Sequence, residues 1–219
     1  MNHLTVSNPA DDSLIERLPI TEPAQVAQRV ADARRAQVSW AARPLRERAQ
    51  TIAGFAQAVR AQLPALAQVL TRETGKPLAH SRNELNGFLG RIDFFMAHAE
   101  QAMASEQVFD ADGMREQIER VPLGVIGNIS AWNYPWFVGG NVFVPALLMG
   151  NAVVYKPSEF APRTGLEMAR LLHGAGVPED VFVVLIGLGA TGQALLEQPL
   201  DGLFFTGSLA TGQRIAQAM

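Results

Sequence analysis

The apolar positions in the first half of the chain repeat with the spacing of amphipathic helices. From Pro44, apolar residues recur every three or four positions with charged residues opposite them, and a similar stripe occupies Leu85–Met103. An earlier helix is expected after Thr21, interpreted as its N-cap, and Gly75 followed by Pro77 indicates a helix end. Weak alternation before these helices predicts one or two short edge strands.

After Ser105 the pattern changes to short apolar runs that alternate with helical stretches. Met114–Val121 is typical of a strand with at least one exposed side, and beyond Gly124 strands and helices take turns. This alternation predicts a parallel, Rossmann-like sheet. The predicted strands are Val125–Ile129, Ala152–Lys156, Val181–Ile186 and Gly202–Phe205, and the predicted helices are Trp136–Leu148, Pro162–His173, Ala190–Gln198 and one that starts after Ser208.

The expected fold class is therefore α/β: a Rossmann-like parallel sheet with flanking helices, preceded by a helical N-terminal region. Residues 1–104 should supply strands and helices that pack on the sheet, residues 105–121 an exposed strand region, and residues 122–219 the sheet itself. The last helix has no C-cap, no closing strand follows it, and a four-stranded sheet would keep an uncovered edge. We therefore expect an incomplete fold, that is, a fragment.

Composition narrows the class of protein. The chain has 219 residues, 48% of them hydrophobic and 18% charged, which is typical of a soluble globular protein. A net charge of -3 argues against nucleic acid as a partner. The longest apolar run, Val142–Met149, is too short for a membrane helix. The N-terminus lacks the features of a secretory signal, so a cytoplasmic location is expected.

The chain contains no cysteine and four histidines. The absence of cysteine excludes disulfides, thiolate metal sites and thiol catalysis by these residues. None of the histidines is spaced like a pair of metal ligands, so no metal site is expected.

A glycine-rich turn spans Gly187–Gly192 with the pattern GxGxxG. It follows a predicted strand and opens a helix, as the dinucleotide fingerprint does. The acidic residue that should hold a ribose at the end of the next strand is missing. Contact with a cofactor and a purely structural tight turn both remain open.

Two motifs follow the ends of the first two predicted parallel strands, where ligands bind in open α/β sheets. Asn133, in Ile-Ser-Ala-Trp-Asn-Tyr-Pro, carries an amide that could donate to a developing oxyanion, or it could form an Asx turn. Lys156 and Glu159, in Lys-Pro-Ser-Glu, could hydrogen-bond the hydroxyls of a ribose, or form a loose surface ion pair.

The last motif, Phe-Phe-Thr-Gly-Ser at 204–208, opens the final helix. Free N–H groups at Gly207 and Ser208 could bind phosphate, but helix capping by Ser208 explains the same residues without a ligand.

The order and spacing of these motifs resemble the aldehyde dehydrogenase superfamily. Trp-Asn-Tyr-Pro begins at Trp132, Lys-Pro-Ser-Glu begins 24 residues later, and Phe-Thr-Gly-Ser begins at Phe205. Glu-Thr-Gly-Lys-Pro at 73–77 extends the likeness over nearly the whole chain. Ala131 is a departure, because relatives often have proline at that position.

The resemblance implies NAD(P)-dependent oxidation of an aldehyde, with NAD as cofactor and NADP possible. Asn133 would be the catalytic asparagine. The nucleophilic cysteine and the glutamate that activates water lie, in relatives, beyond the end of this chain, so the chain alone is expected to be inactive. Relatives pair through strands like Met114–Val121, which implies a homo-oligomer. The implied cofactor-binding residues are Ile129, Trp132, Lys156, Ser158, Glu159, Gly189, Gly207 and Ser208.

Two other classes stay open. A non-catalytic nucleotide-binding or assembly module could keep the fold without the chemistry. An ordinary Rossmann reductase would use the turn at Gly187–Gly192, but it should carry Tyr-x-x-x-Lys. The two tyrosines, Tyr134 and Tyr155, are followed four residues later by Val138 and Glu159 instead.

Overall fold

A computed structural model describes residues 2–218, and Met1 and Met219, the outer limits of the predicted domains, lie outside that range. The N-terminal half consists of an antiparallel β-hairpin followed by three long helices. These elements are β1 (His3–Ser7), β2 (Leu14–Pro19), α1 (Pro23–Ala41), α2 (Leu45–Thr74) and α3 (Leu78–Met103).

The ends of the long helices follow from local chemistry. α1 begins after its N-cap Glu22, whose backbone N–H donates to the side-chain oxygen of Gln25 at 2.9 Å in a capping box. The prediction that Thr21 is the N-cap was wrong: its hydroxyl instead accepts the backbone N–H of Ile186 at 3.0 Å. α2 ends as predicted at Gly75, whose φ of 70° is in the left-handed region that glycine adopts freely.

The C-terminal half alternates strands and helices, which confirms the predicted α/β class. Three of the four predicted parallel strands have the predicted bounds, and the third is shorter, Phe182–Val184. The elements are an exposed hairpin of β3 (Glu106–Ala111) and β4 (Met114–Ile118), then β5 (Val125–Ile129), α4 (Pro135–Leu148), β6 (Ala152–Lys156), α5 (Pro162–Gly174), β7 (Phe182–Val184), α6 (Gly189–Leu196), β8 (Gly202–Phe205) and α7 (Leu209–Ala218).

The sheet has the strand order β7-β6-β5-β8, and all of its pairs are parallel. Successive strands run from β5 to β7 in one direction, whereas β8 returns to the other side of β5. Ligands in open α/β sheets bind outside the carboxyl ends of the strands where the order reverses. The topology therefore places a crevice between the ends of β5 and β8.

One hydrophobic core joins the N-terminal helices to the sheet. It includes Trp40 of α1, Phe55 of α2 and Phe88 of α3 together with Tyr155 and Phe182 of the sheet, all of them fully buried. Phe55, Phe88 and Phe143 pack edge to face with one another at centroid separations near 6 Å. In residues 2–218, no helix is long and apolar enough to cross a bilayer.

Candidate functional site

A cleft of about 870 Å³ opens at the carboxyl ends of β5, β6 and β8, beside the first turns of α6 and α7. This is the crevice expected from the reversal of strand order. The structure brings every predicted site residue to its wall. They are Ile129, Trp132, Asn133, Lys156, Ser158, Glu159, Gly189, Gly207 and Ser208.

Lys156 lines the cleft yet is buried, with 5% of its surface exposed. Its ammonium donates to the carbonyl of Pro157 at 3.0 Å, and no carboxylate within residues 2–218 lies within ion-pair distance. Burial lowers the pKa of Lys156, and the charge of Glu159 opposes that shift. The interpretation as a loose surface ion pair is therefore wrong, because Lys156 is buried and forms no ion pair within residues 2–218.

Two aromatic side chains stand at the cleft near these groups. Trp132 and Phe160 are both exposed and contact each other edge to face, with centroids 6.3 Å apart. The hydroxyl of Ser158 accepts the backbone N–H of Phe160 at 3.3 Å, which holds the turn after β6. Phe160 was missed from the sequence, where its only signal is an aromatic residue directly after Glu159.

The glycine-rich turn is a tight turn at its start and faces the cleft at Gly189 and Gly192. A Cβ at Gly187 would lie 1.9 Å from the hydroxyl of Thr191, so a side chain cannot fit in this tight turn. Gly189 and Gly192 line the cleft, and a Cβ at Gly189 would meet no other atom of the described residues 2–218 within 4 Å. The fold therefore requires glycine at 187 but leaves the backbone at 189 open to the cleft.

The first turn of α7 is capped by Ser208. Its hydroxyl accepts the backbone N–H of Thr211 at 3.3 Å, so the capping interpretation of Ser208 is confirmed. Gly207 lies against Phe205, where a Cβ would come within 2.4 Å of the ring. Because both residues also line the cleft, capping and ligand contact do not exclude each other here.

Asn133 lies in an exposed bend between β5 and α4. Its backbone carbonyl accepts a hydrogen bond from Lys76 at 2.5 Å. Among the hydrogen bonds of residues 2–218, none involves its side-chain amide, so the expected alternative of an Asx turn before Pro135 is not formed. The amide is therefore available to a ligand atom at the rim of the cleft.

A buried ion pair holds this bend in place. The ammonium of Lys76 contacts the Glu84 carboxylate and lies 3.8 Å from the centre of the Tyr134 ring. The other Glu84 oxygen accepts the backbone N–H of Trp136 at 2.9 Å. Burial raises the pKa of Glu84, while the hydrogen bond and charge of Lys76 oppose the shift. No pattern in the sequence indicated this pair, although Lys76 belongs to the Glu-Thr-Gly-Lys-Pro motif.

The first residue of the same motif, Glu73, braces the opposite side of the site. Its carboxylate accepts the backbone N–H groups of Arg163 and Thr164 and the hydroxyl of Thr164, at the start of α5. Burial raises the pKa of Glu73 to about 7 against the effect of these hydrogen bonds. Glu73 thereby joins the end of α2 to the helix that follows Lys156 and Glu159.

A second cavity of about 580 Å³ adjoins the cleft between α3 and α4. Asn133 and Thr206 line both spaces, so these two residues lie at their junction. No pattern in the sequence indicated this cavity, because its walls come from separate helices. The remaining lining residues are His80, Asn83, Glu84, Gly87, Tyr134, Phe137 and Val138.

Comparison with known proteins gives this geometry a context. The chain is 39% identical over 181 residues to the N-succinylglutamate 5-semialdehyde dehydrogenase of Sphingopyxis alaskensis. The aligned segment covers 82% of this chain and 38% of that protein. The chain thus spans about two fifths of the length of this relative.

Solved structures share the fold over nearly the whole chain. PnpE of Pseudomonas sp. WBC-3, in complex with nicotinamide adenine dinucleotide, matches with a TM-score of 0.93 at 34% identity, over 99% of this chain and 45% of its own. An NADP-dependent glyceraldehyde-3-phosphate dehydrogenase of Bacillus halodurans C-125, complexed with NADP, matches with a TM-score of 0.94 at 28% identity, over 99% and 47%. The model of the aldehyde dehydrogenase family matches residues 1–219. The chain therefore belongs to the aldehyde dehydrogenase family.

Proposed function

We propose that this chain binds NAD, or NADP, in the cleft and forms the cofactor-binding part of an enzyme that oxidises an aldehyde. The observation that carries the proposal is the convergence of all nine predicted residues on one cleft at the reversal of strand order. The complexes of PnpE with NAD and of the Bacillus halodurans enzyme with NADP support it.

The residues of the cleft suit the parts of a dinucleotide. The donors of Lys156 and the carboxylate acceptors of Glu159 match the hydroxyls of a ribose. Gly207 and Ser208 begin a helix, where unpaired N–H groups and the helix dipole favour a pyrophosphate. Gly189 has room for close approach of the adenine side, and Ile129 and Trp132 form an apolar wall.

Asn133 is the residue proposed to act on the aldehyde. Its free amide lies where the cleft meets the second cavity, so an aldehyde in that cavity would have its carbonyl next to the cofactor. An amide donor aimed at the carbonyl oxygen stabilises the negative charge that develops when a nucleophile adds to the carbon. When bound, the nicotinamide accepts a hydride.

The chain holds no cysteine, so a thiolate nucleophile would come from polypeptide other than these 219 residues. We therefore expect no aldehyde oxidation by the chain alone. The hairpin of β3 and β4 is the proposed contact between copies of the complete enzyme, since its side chains are exposed throughout. Its large apolar members are Val108, Phe109, Met114 and Ile118.

Replacement of Lys156 by methionine tests the proposed function. A buried cation without an anionic partner costs stability, so Lys156→Met should unfold at equal or higher denaturant concentration than the unmodified chain. The same change removes hydrogen bonds from a charged group to the ribose, so NAD affinity should fall roughly tenfold to a hundredfold in calorimetry.

Arg60→Met is the matched control, because Arg60 is an exposed cation paired with Asp93 on α2 and α3, away from the cleft. It should leave NAD affinity unchanged. The proposal is wrong if Lys156→Met binds NAD as tightly as the unmodified chain, or if the unmodified chain does not bind NAD.

A further inference from the structure

Arg91, on α3, is held in place by aromatic rings and one amide. Its guanidinium carbon lies 5.4 Å from the ring centre of Phe95, 5.5 Å from that of Phe94 and 5.8 Å from that of Phe137. Its Nε donates to the side-chain oxygen of Asn141, on α4, at 3.0 Å. These contacts orient the cation but leave its two NH₂ groups free of other hydrogen bonds within residues 2–218.

Among the residues that the structure describes, no acidic side chain forms an ion pair with Arg91. The ion pairs of residues 2–218 do not include it, and the nearest acid in sequence, Asp93, binds Arg60 through both carboxylate oxygens at 3.0 Å. Half-buried arginines in proteins are normally matched by carboxylates or phosphates, whose geometry fits the guanidinium fork. An oriented and unmatched guanidinium is therefore suited to an anionic ligand.

The position of Arg91 connects it to the second cavity. Gly87 of α3 and Phe137 of α4 line that cavity. Arg91 lies four residues after Gly87, and Asn141 lies four residues after Phe137. Residues four apart share a face of a helix, one turn of about 5.4 Å away. Arg91 and Asn141 thus stand just beyond the end of the cavity that is farther from Asn133. The carboxylate of Glu84 inside the cavity is already paired with Lys76.

We propose that the second cavity selects aldehydes that carry a carboxylate at the far end, and that Arg91 is the residue that recognises it. The inference rests on the proposed function, since it takes the aldehyde carbon to lie at Asn133.

From the start of α4 at Pro135 to Asn141 the helix rises about 9 Å, at 1.5 Å per residue. An extended chain advances about 1.2 Å per bond, so the carboxylate and the aldehyde carbon are separated by about seven bonds.

The test compares two ligands that differ in charge alone. Suberate semialdehyde, an unbranched ω-oxo carboxylate of eight carbons, has the required length, and its methyl ester is nearly the same shape without the charge. Their dissociation constants are measured by calorimetry or ligand-detected NMR on the full chain in the presence of saturating NAD. The acid should bind more tightly than the ester by roughly tenfold to a hundredfold, as expected for hydrogen bonds to a charged group.

Three variants of the chain complete the design. Arg91→Gln should bring the ratio of the two dissociation constants close to one with NAD affinity unchanged, and Arg91→Lys should keep part of the preference. Arg60→Gln, which removes an exposed arginine from α2, should leave the ratio as in the unmodified chain. Thermal melts of each variant establish that it is folded.

Equal binding of acid and ester, or a preference for the acid that survives Arg91→Gln, would overturn the inference. So would the failure of both probes to bind while NAD still binds, and in that case the proposed cofactor function stands. Failure of NAD itself to bind the unmodified chain would overturn both.

Discussion

Replacement of Lys76 by methionine would test how strongly the buried ion pair holds the bend that carries Asn133. Methionine keeps most of the apolar stem but removes the charge that contacts Glu84, the Asn133 carbonyl and the Tyr134 ring. The side chains of Lys76 and Glu84 are 11% and 0% exposed, so the pair is buried. Removal of one partner from a buried pair typically costs about 3–5 kcal/mol, because the other charge is left uncompensated.

The loss should depend on pH with a defined sign. Burial raises the pKa of Glu84 in the folded protein, so the stability linked to this group is present below its unfolded pKa and is lost as pH rises through its folded pKa. Without Lys76 that pKa rises further, because the charge that opposed the shift is gone. The deficit of Lys76→Met should therefore be largest at alkaline pH and small near pH 4 or below, where Glu84 is protonated.

Urea unfolding followed by tryptophan fluorescence measures this directly, since Trp40 and Trp136 are fully buried. The double variant Lys76→Met with Glu84→Gln should recover part of the loss at alkaline pH. Arg60→Met is the control, because it breaks an exposed pair, worth about 1 kcal/mol or less. If Lys76→Met costs no more than this control at alkaline pH, or costs the same at all pH values, the ion pair does not stabilise the bend as argued.

Three further changes probe the site. Asn133→Ala is measured in an enzyme completed by a segment that supplies the thiolate. It should lower turnover by a factor of about 10²–10³ and leave NAD affinity unchanged. If the variant is destabilised but fully active, Asn133 is not a catalytic residue. The unmodified chain should bind NAD more tightly than NADP, because the carboxylate of Glu159 would repel a 2′-phosphate. Calorimetry should show a weaker preference in Glu159→Gln, and equal affinities of the unmodified chain for the two cofactors would refute this prediction. The raised pKa of Glu73, about 7, predicts that stability falls by up to about 3 kcal/mol as pH rises from 5 to 8, and that Glu73→Gln loses most of this dependence in urea titrations.

Local chemistry was sufficient to predict the elements on which the site is built. The bounds of β5, β6 and β8 agreed with the sequence, because each is a short apolar run flanked by glycine, proline or polar residues. Gly75 ended α2 as predicted, since a left-handed residue is a requirement of the helix end itself. Thr21 was misassigned because its competitor, the pair of Glu22 and Gln25, was overlooked.

The residues at the cleft were also predictable, since each sits at the end of a strand or the start of a helix. Their order along the chain resembled a family whose model then matched the chain. The spacing did not decide whether the side chain of each of these residues is buried or solvated. Lys156 could have been a solvated surface lysine, and its burial depends on neighbouring elements that its own sequence does not specify.

Tertiary structure alone decided how these groups are held and what surrounds them. Lys76 reaches a carbonyl 57 residues away, Glu84 accepts an N–H 52 residues away, and Arg91 meets an amide 50 residues away. Likewise, β8 lies beside β5 and not beside β7, which precedes it. Periodicity records which face of one element is buried, and turn chemistry records where that element ends. Neither records which distant element covers the face, because that choice depends on the packing of the whole core.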